Sequence, residues 1–439
     1  MDHNSTSLAA HFALKDQGSY LARVLVPRTY TIYKCMRASF FLTPSQLSLM
    51  ASSIFLPLIL FHLLLATEPT SSARILLTRV SRPKYTSTNS LMNNPEYYSP
   101  GRSPLILSND VYALSLAIGT PPVKFSAIMD TGSNLIWTKC KSSGSGLYDT
   151  SMSTSFSSYV GDTCEEWGVG QDCPQNYDDG KSVNVTLGQE TLTIGDVKVN
   201  DVTFGCGITD DENFGFDGIV GMGPGKLSLV SQLRSRVFYY CLGSRFDPTA
   251  RRVFLTGSIP NTYSSVQTTP LRTDESNYYI ILEGISVGET KLPITDTEIA
   301  KSNKDKGMVI DSGTTFTYLE KSIVDMISNE FMSQTNLNMS GSDNVTKYGL
   351  ENCFNYQGYD NVEFPNVVFH FEGANWELKK DNYIYQKEGG EEGCLAFKSN
   401  DQENDKSAIF GNIQQQNMIV SYDLDNNKLS FVPADCNQV

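Results

Sequence analysis

The sequence predicts an all-β chain folded as two pseudo-symmetric lobes, barrel-like or sandwich-like, around a central cleft, and three observations carry that expectation. Short alternating or apolar runs are broken repeatedly by Gly, Pro, Asn and Asp, the pattern of strands and turns. Aromatic residues make up 11% of the 439, including 22 Tyr and 22 Phe, a strand-friendly composition. One pattern also occurs twice: an apolar strand running into Asp-[Thr/Ser]-Gly-[Ser/Thr], followed later by two apolar residues and a Gly. The length exceeds what one core usually holds, in keeping with two lobes.

The front of the chain reads separately from the body. Residues 54–66 form an apolar run of 13 residues. That is short of the roughly 20 needed to span a bilayer and fits the core of a signal peptide. Small residues at Ser71, Ser72 and Ala73 offer a cleavage site, and Met50 precedes the run as a second start. Residues 50–73 are therefore expected to be a signal peptide, with no membrane span in the mature form. Residues 1–49 hold five Lys/Arg against two Asp/Glu and read as a gene-model extension or a targeting segment. Residues 74–103, basic and rich in Ser and Thr, read as a linker or as a propeptide lying on an acidic body.

The lobes are expected at 104–265 and 266–439. In the first, residues 112–118 form a strand ending at Gly119-Thr120-Pro121-Pro122, and 125–130 form the next, ending on Asp130. Residues 228–236 read as a helix. In the second, 278–287 read as one strand, 308–311 as a strand ending on Asp311, 322–333 as a helix and 366–371 as a strand. Ile219-Val220-Gly221 lies 89 residues after Asp130, and Ile409-Phe410-Gly411 lies 98 after Asp311.

Composition excludes whole classes of chemistry. Net charge is −14, and residues 104–439 carry 24 Lys/Arg against 44 Asp/Glu, so nucleic acid is not an expected partner. Of four histidines only His370 lies in the body, which removes multi-His metal sites and His relays. His370 falls in a strand pattern and is expected to be structural. No cofactor and no metal is expected, and Gly221-Met222-Gly223-Pro224-Gly225 lacks the spacing of a phosphate-binding loop. Cys35 lies in the front; the other eight cysteines, an even set behind a secretion signal, read as four disulfides with on the order of 100 alternative pairings. Sequons at Asn184, Asn338 and Asn344 agree with secretory passage.

The chemistry should then rest on carboxylates. A carboxylate at the tip of an apolar strand is costly unless neighbours hydrogen-bond it, and Ser, Thr and Gly supply donors without blocking a ligand. Two such tips brought together cannot both ionise, so the pair shares one proton over an acidic range. One member can then take a proton from water while the other donates a hydrogen bond to a peptide carbonyl.

These stretches resemble the pepsin-type aspartic proteases, and the nepenthesin-type plant enzymes in particular, over essentially all of 104–439. The carriers are Asp130-Thr131-Gly132-Ser133-Asn134-Leu135-Ile136-Trp137, Phe204-Gly205-Cys206-Gly207, Gly218-Ile219-Val220-Gly221-Met222-Gly223, Ile310-Asp311-Ser312-Gly313-Thr314-Thr315, and Ile409-Phe410-Gly411-Asn412 with Gln415-Gln416-Asn417. The resemblance implies a bilobal pepsin-like fold and a secreted or vacuolar monomer that hydrolyses protein or peptide substrates at acidic pH. Asp130 and Asp311 would be the catalytic dyad, with Ser133 and Thr314 hydrogen-bonding their outer oxygens and Gly132 and Gly313 letting the backbone approach. Tyr177 would be the flap tyrosine, paired with Trp137, which also suits a core position. Asp178 and Lys181 depart from the family's Gly and Ser at the flap. The implied disulfides are Cys140–Cys206, Cys164–Cys173, Cys241–Cys436 and Cys353–Cys394. The alternative is a catalytically silent binding or inhibitor protein on the same fold; such lineages tend to lose a dyad residue or its hydroxyl neighbours, and this chain retains them.

Overall fold

A computed structural model describes residues 110–140, 148–159, 173–177, 182–208, 216–247, 253–335, 337–339, 349–355, 362–386, 392–400 and 408–439, apart from 196, 275 and 305; for 9–15, 19–25, 41–42 and 102–108 it describes the backbone. The chain divides into two compact units, Met1–Val80 and Ser81–Val439. In the first, Ala9–Lys15, Ser19–Leu25 and Phe41–Leu42 form a small antiparallel sheet. The apolar run at 54–66 lies outside the described residues. No described helix is long and apolar enough to cross a membrane.

The described residues of the second unit are mainly β, and one large sheet takes strands from both halves of it. Met418–Asp423 and Lys428–Pro433, near the C-terminus, pair with each other, and Met418–Asp423 pairs with Val237–Cys241. From there the sheet continues through Val253–Thr256 and Arg102–Ser108 into Val111–Ile118 and Val123–Asp130. Arg102–Ser108 thus straddles the boundary expected at 103/104. Aromatic stacking fills the space beneath this sheet. Phe238 lies on Tyr422 with ring centres 4.6 Å apart, and Tyr278 closes on Tyr422 at 4.8 Å. All three are fully buried, the kind of payload that dominates core energetics.

A six-stranded sheet holds the second repeat: Arg272–Thr273, Tyr278–Ile280, Met308–Ile310, Ile409–Phe410, Thr317–Leu319 and Phe397–Ser399. Phe410 is locked there by Trp376 at 4.9 Å and Phe369 at 5.3 Å. The stretch expected as one strand over 278–287 is two, Tyr278–Ile280 and Leu282–Val287, which belong to different sheets with a register irregularity at Leu282/Gly284. Tyr278–Ile280 is buried throughout, whereas Leu282–Val287 exposes Glu283; the unbroken apolar residues 278–282 give no sign of the break.

The expected helix at 228–236 shortens to Leu229–Gln232, capped by Ser228 and ended by Arg234 in the left-handed region. That at 322–333 extends to Lys321–Thr335. A further helix, Asp296–Asn303, opens with a Thr295/Glu298 capping box whose spacing was present in the sequence. His370 sits in Val367–Phe371 with both ring nitrogens engaged, Nδ1 with Asn375 Oδ1 at 2.7 Å and Nε2 with Ser286 Oγ at 2.8 Å.

Disulfides join Cys140 to Cys206, Cys241 to Cys436 and Cys353 to Cys394. Cys164 lies outside the described residues, as does the side chain of Cys173. The Cys241–Cys436 bridge spans 195 residues and ties the last turn of the chain to the central sheet. Replacing both cysteines by serine is expected to lower unfolding stability by about 2–5 kcal/mol, read from urea denaturation.

Candidate active site

One local design is built twice. Gly218–Gly221 runs parallel to Val123–Asp130, with Gly221 opposite Asp130, and antiparallel to Ile136–Lys139 on its other side. In the second copy Ile409–Phe410 runs parallel to Met308–Ile310 and antiparallel to Thr317–Leu319. Each apolar-apolar-Gly stretch is therefore threaded between the strand entering an aspartate loop and the strand leaving it. Glycine is required where the threaded strand ends. A Cβ on Gly221 would sit 2.4 Å from the Asn134 carbonyl carbon, and one on Gly411 would sit 2.4 Å from the Phe316 oxygen.

The two loops are laced together across the halves. Thr131 N donates to Ser312 Oγ at 3.2 Å, and Ser312 N donates to Thr131 Oγ1 at 2.9 Å. Each hydroxyl then reaches past its partner loop: Thr131 Oγ1 donates to Ile310 O at 3.3 Å and Ser312 Oγ to Met129 O at 2.8 Å. Thr131 and Ser312 are fully buried, so these bonds form where water cannot replace them.

Above the lacing lie the two aspartates, each only 8% exposed. Asp130 accepts from Gly132 N at 2.9 Å on Oδ1 and from Ser133 Oγ at 2.5 Å on Oδ2. Asp311 repeats this, with Gly313 N at 2.7 Å and Thr314 Oγ1 at 2.5 Å. Each carboxylate lies against the other loop's glycine. A Cβ on Gly313 would meet Asp130 Oδ1 at 2.4 Å, and one on Gly132 would meet Asp311 Oδ2 at 2.8 Å. Burial first, and then the charge of Asp311, holds the Asp130 carboxyl well above the ordinary carboxylate range, against the lowering pull of Ser133 and Gly132. Such a pair can hold one proton between two carboxylates, with one basic and one acidic oxygen facing the same space.

Trp137, fully buried, donates from Nε1 to the Tyr177 hydroxyl at 2.6 Å. It packs with Leu135, Val183, Val185, Leu187 and Ile219, with Tyr177 against that cluster. The strand Cys173–Asn176 pairs with the start of Ser182–Ile194 as a hairpin beside it. Asp178 and Lys181 lie outside the described residues. Asn184 and Asn338 are exposed, and Asn344 falls outside the described residues. No cluster of three or more His, Cys, Asp or Glu able to hold a metal occurs among the described residues.

Among the other perturbed carboxylates, Asp274 carries a large shift. Burial pushes Asp274 up, but Lys306 Nζ at 2.7 Å and the Asn277 and Ser276 amides at 2.7 Å outweigh it and bring its carboxyl down to about 2. A depressed folded-state value contributes stability above the unfolded carboxylate range, lost as pH falls through about 2. Asp274→Asn is therefore expected to lower unfolding stability at pH ~5 by less than ~1 kcal/mol, given the pair's exposure, with the difference, read from urea denaturation, closing towards pH ~2.

Comparison with known families decides what this arrangement belongs to. The family models described as "Xylanase inhibitor N-terminal" and "Xylanase inhibitor C-terminal" match residues 112–256 and 277–433. The chain belongs to the plant pepsin-like aspartic protease family. Within it, the chain is 39% identical to aspartic proteinase nepenthesin-1 of Nepenthes gracilis over 352 residues, covering 74% of this chain and 78% of that protein. It is 35% identical to nepenthesin-2 of the same plant, covering 76% of this chain and 80% of that one. Among solved structures, conglutin gamma from lupine seeds matches with a TM-score of 0.60 at 16% identity, covering 77% of this chain and 95% of that one. Basic 7S globulin from soybean matches with 0.60 at 19%, covering 76% and 97%. At those identities the structures show the shared all-β fold alone.

The fold brings Asp130, Asp311, Gly132, Ser133, Gly313 and Thr314 together. Trp137 and Tyr177 meet one another. The motif does not by itself reveal the cross-lacing hydroxyls of Thr131 and Ser312, or the support that Gln415 gives beneath Asp311. Gln415 Nε2 donates to Asp311 O at 3.1 Å. Its signal in the sequence is the Gln415-Gln416-Asn417 stretch four residues past Gly411.

Proposed function

We propose that the protein is an aspartic endopeptidase that hydrolyses peptide bonds at acidic pH, with Asp130 and Asp311 as its catalytic residues. The observation that carries this reading is the pair itself: two buried carboxylates, each hydrogen-bonded by its own loop and each against the other loop's glycine. In the reaction the ionised member takes a proton from a water, and the water oxygen bonds to the peptide carbonyl carbon. The protonated member donates to the carbonyl oxygen. Proton return to the amide nitrogen then breaks the C–N bond and releases a carboxylic acid and an amine. Low pH keeps the shared proton, and no histidine or metal is called on. The substrate is an extended peptide under the Tyr177 hairpin. Disulfides agree with a secreted protein of the apoplast or vacuole.

A catalytically silent binding or inhibitor protein is the second reading, favoured by the family models' own description and by the globulin-like solved neighbours. The complete set of dyad donors weighs against it. Incubating processed protein with a denatured protein substrate at about pH 3–4, in the carboxylate range, separates the two. The first reading expects new N-termini by mass spectrometry that vanish with pepstatin. Intact substrate throughout supports the second.

A further inference from the structure

We propose that Gln415, oriented by the hydroxyl of Tyr240, is a positioning residue that fixes Asp311 against Asp130. The inference rests on the dyad reading above and goes beyond its motif residues. Gln415 is fully buried, in the short turn that follows the second apolar-apolar-Gly stretch. Its Nε2 lies 3.1 Å from the carbonyl oxygen of Asp311, 2.9 Å from that of Phe410 and 3.2 Å from that of Gly411. These carbonyls belong to the backbone that carries Asp311 and to the strand threaded beside it, which also accepts Asp311 N at Phe410 O, 3.1 Å away. One amide group thus ties the aspartate's own peptide to its neighbour strand.

The amide has only one workable orientation. Its nitrogen faces three acceptors, and its Oε1 accepts from the Tyr240 hydroxyl at 2.5 Å. Tyr240 is fully buried in Val237–Cys241 of the central sheet, on the side of the chain that also supplies Asp130. Its oxygen also lies 3.1 Å from the Tyr422 hydroxyl. Burial above all holds the Tyr240 phenol far above its ordinary value, with the neighbouring Tyr422 and the charge of Asp311 adding to it. It therefore remains a proton donor across the working range. Asn412 braces the same turn, with Nδ2 donating to Ser312 O at 3.2 Å and N donating to Thr314 O at 2.7 Å. The carboxylate of Asp311 is held by its own loop, but the loop is held by Gln415 and Asn412.

Tyr240→Phe removes one oxygen and keeps the ring; Gln415→Leu removes the amide and keeps the approximate volume. Both variants are expected to lower kcat by on the order of 10- to 100-fold, the scale of a small misplacement of catalytic groups, with KM little changed. The alkaline limb of the pH–kcat profile is expected to move to lower pH, because carboxylates held less closely repel less. Tyr383→Phe, which removes from another fully buried tyrosine a hydroxyl donating to Pro365 O at 2.6 Å, is the control and is expected to keep the wild-type kcat and limb. Thermal unfolding from pH ~3 to ~7 supplies a readout that needs no turnover. The part of the pH dependence that Asp130→Asn removes is expected to shrink in Tyr240→Phe. A wild-type protein that cleaves nothing would count against the proposed activity, and the unfolding series would still decide the positioning. Wild-type pH dependence in Tyr240→Phe and Gln415→Leu, or an equal loss in Tyr383→Phe, would overturn it.

Discussion

Asp130→Asn is expected to lower kcat/KM for peptide cleavage by on the order of 100- to 10,000-fold, the span that a positioned acid–base group supplies. The loss is one of proton chemistry, since Asn keeps the shape: its Oδ1 still accepts from Gly132 N, and its Nδ2 takes the place of the oxygen that Ser133 Oγ reaches, where the hydroxyl can turn to accept. Folding is expected to survive, and at neutral pH to improve. Asp130 has its folded-state value raised, by burial and then by Asp311. A raised value contributes stability that is fully present below the unfolded carboxylate range, about pH 4, and is lost as pH rises through the folded value. Wild type should therefore lose melting temperature on going from acid towards neutral pH more steeply than Asp130→Asn. Kinetic assay and thermal unfolding on the same preparations check both halves.

Gly313→Ala carries the second large effect. The added methyl would fall 2.4 Å from Asp130 Oδ1 and 2.7 Å from Asp130 Cγ, so the carboxylate must retreat from its partner. Displacement of that order in a reacting group is expected to cost on the order of 100-fold in kcat. Overpacking adds about 1–3 kcal/mol of destabilisation, visible in the urea midpoint. Gly132→Ala is expected to act in the same sense through Asp311, whose Cγ and Oδ2 would lie 2.8 Å from the new methyl. A Gly313→Ala protein with wild-type kcat would mean that the carboxylates do not need to meet.

Much of this was legible because it is local in sequence. A strand entering Asp130-Thr131-Gly132-Ser133 or Asp311-Ser312-Gly313-Thr314 needs only neighbouring hydroxyls and amides to cradle its carboxylate, and those lie two or three residues on. The threaded strands were legible as a repeat, because close backbone passage demands Gly221 and Gly411. What escaped the sequence depends on partners far apart along the chain. Thr131 and Ser312 meet only once the halves are joined, and Tyr240 meets Gln415 from 175 residues away. The break between Tyr278–Ile280 and Leu282–Val287 escaped for another reason: residues 278–282 are all apolar, so no alternation marks where the chain changes sheets.

The most direct test is the rate of peptide cleavage by processed, disulfide-bonded protein between pH ~2 and ~8, spanning the carboxylate and histidine ranges, with and without pepstatin. The expected result is a bell lying on the acid side, with an alkaline limb above the ordinary carboxylate range and no cleavage once pepstatin is bound. Cleavage that peaks near neutrality, ignores pepstatin or persists in Asp130→Asn would contradict a dyad of Asp130 and Asp311.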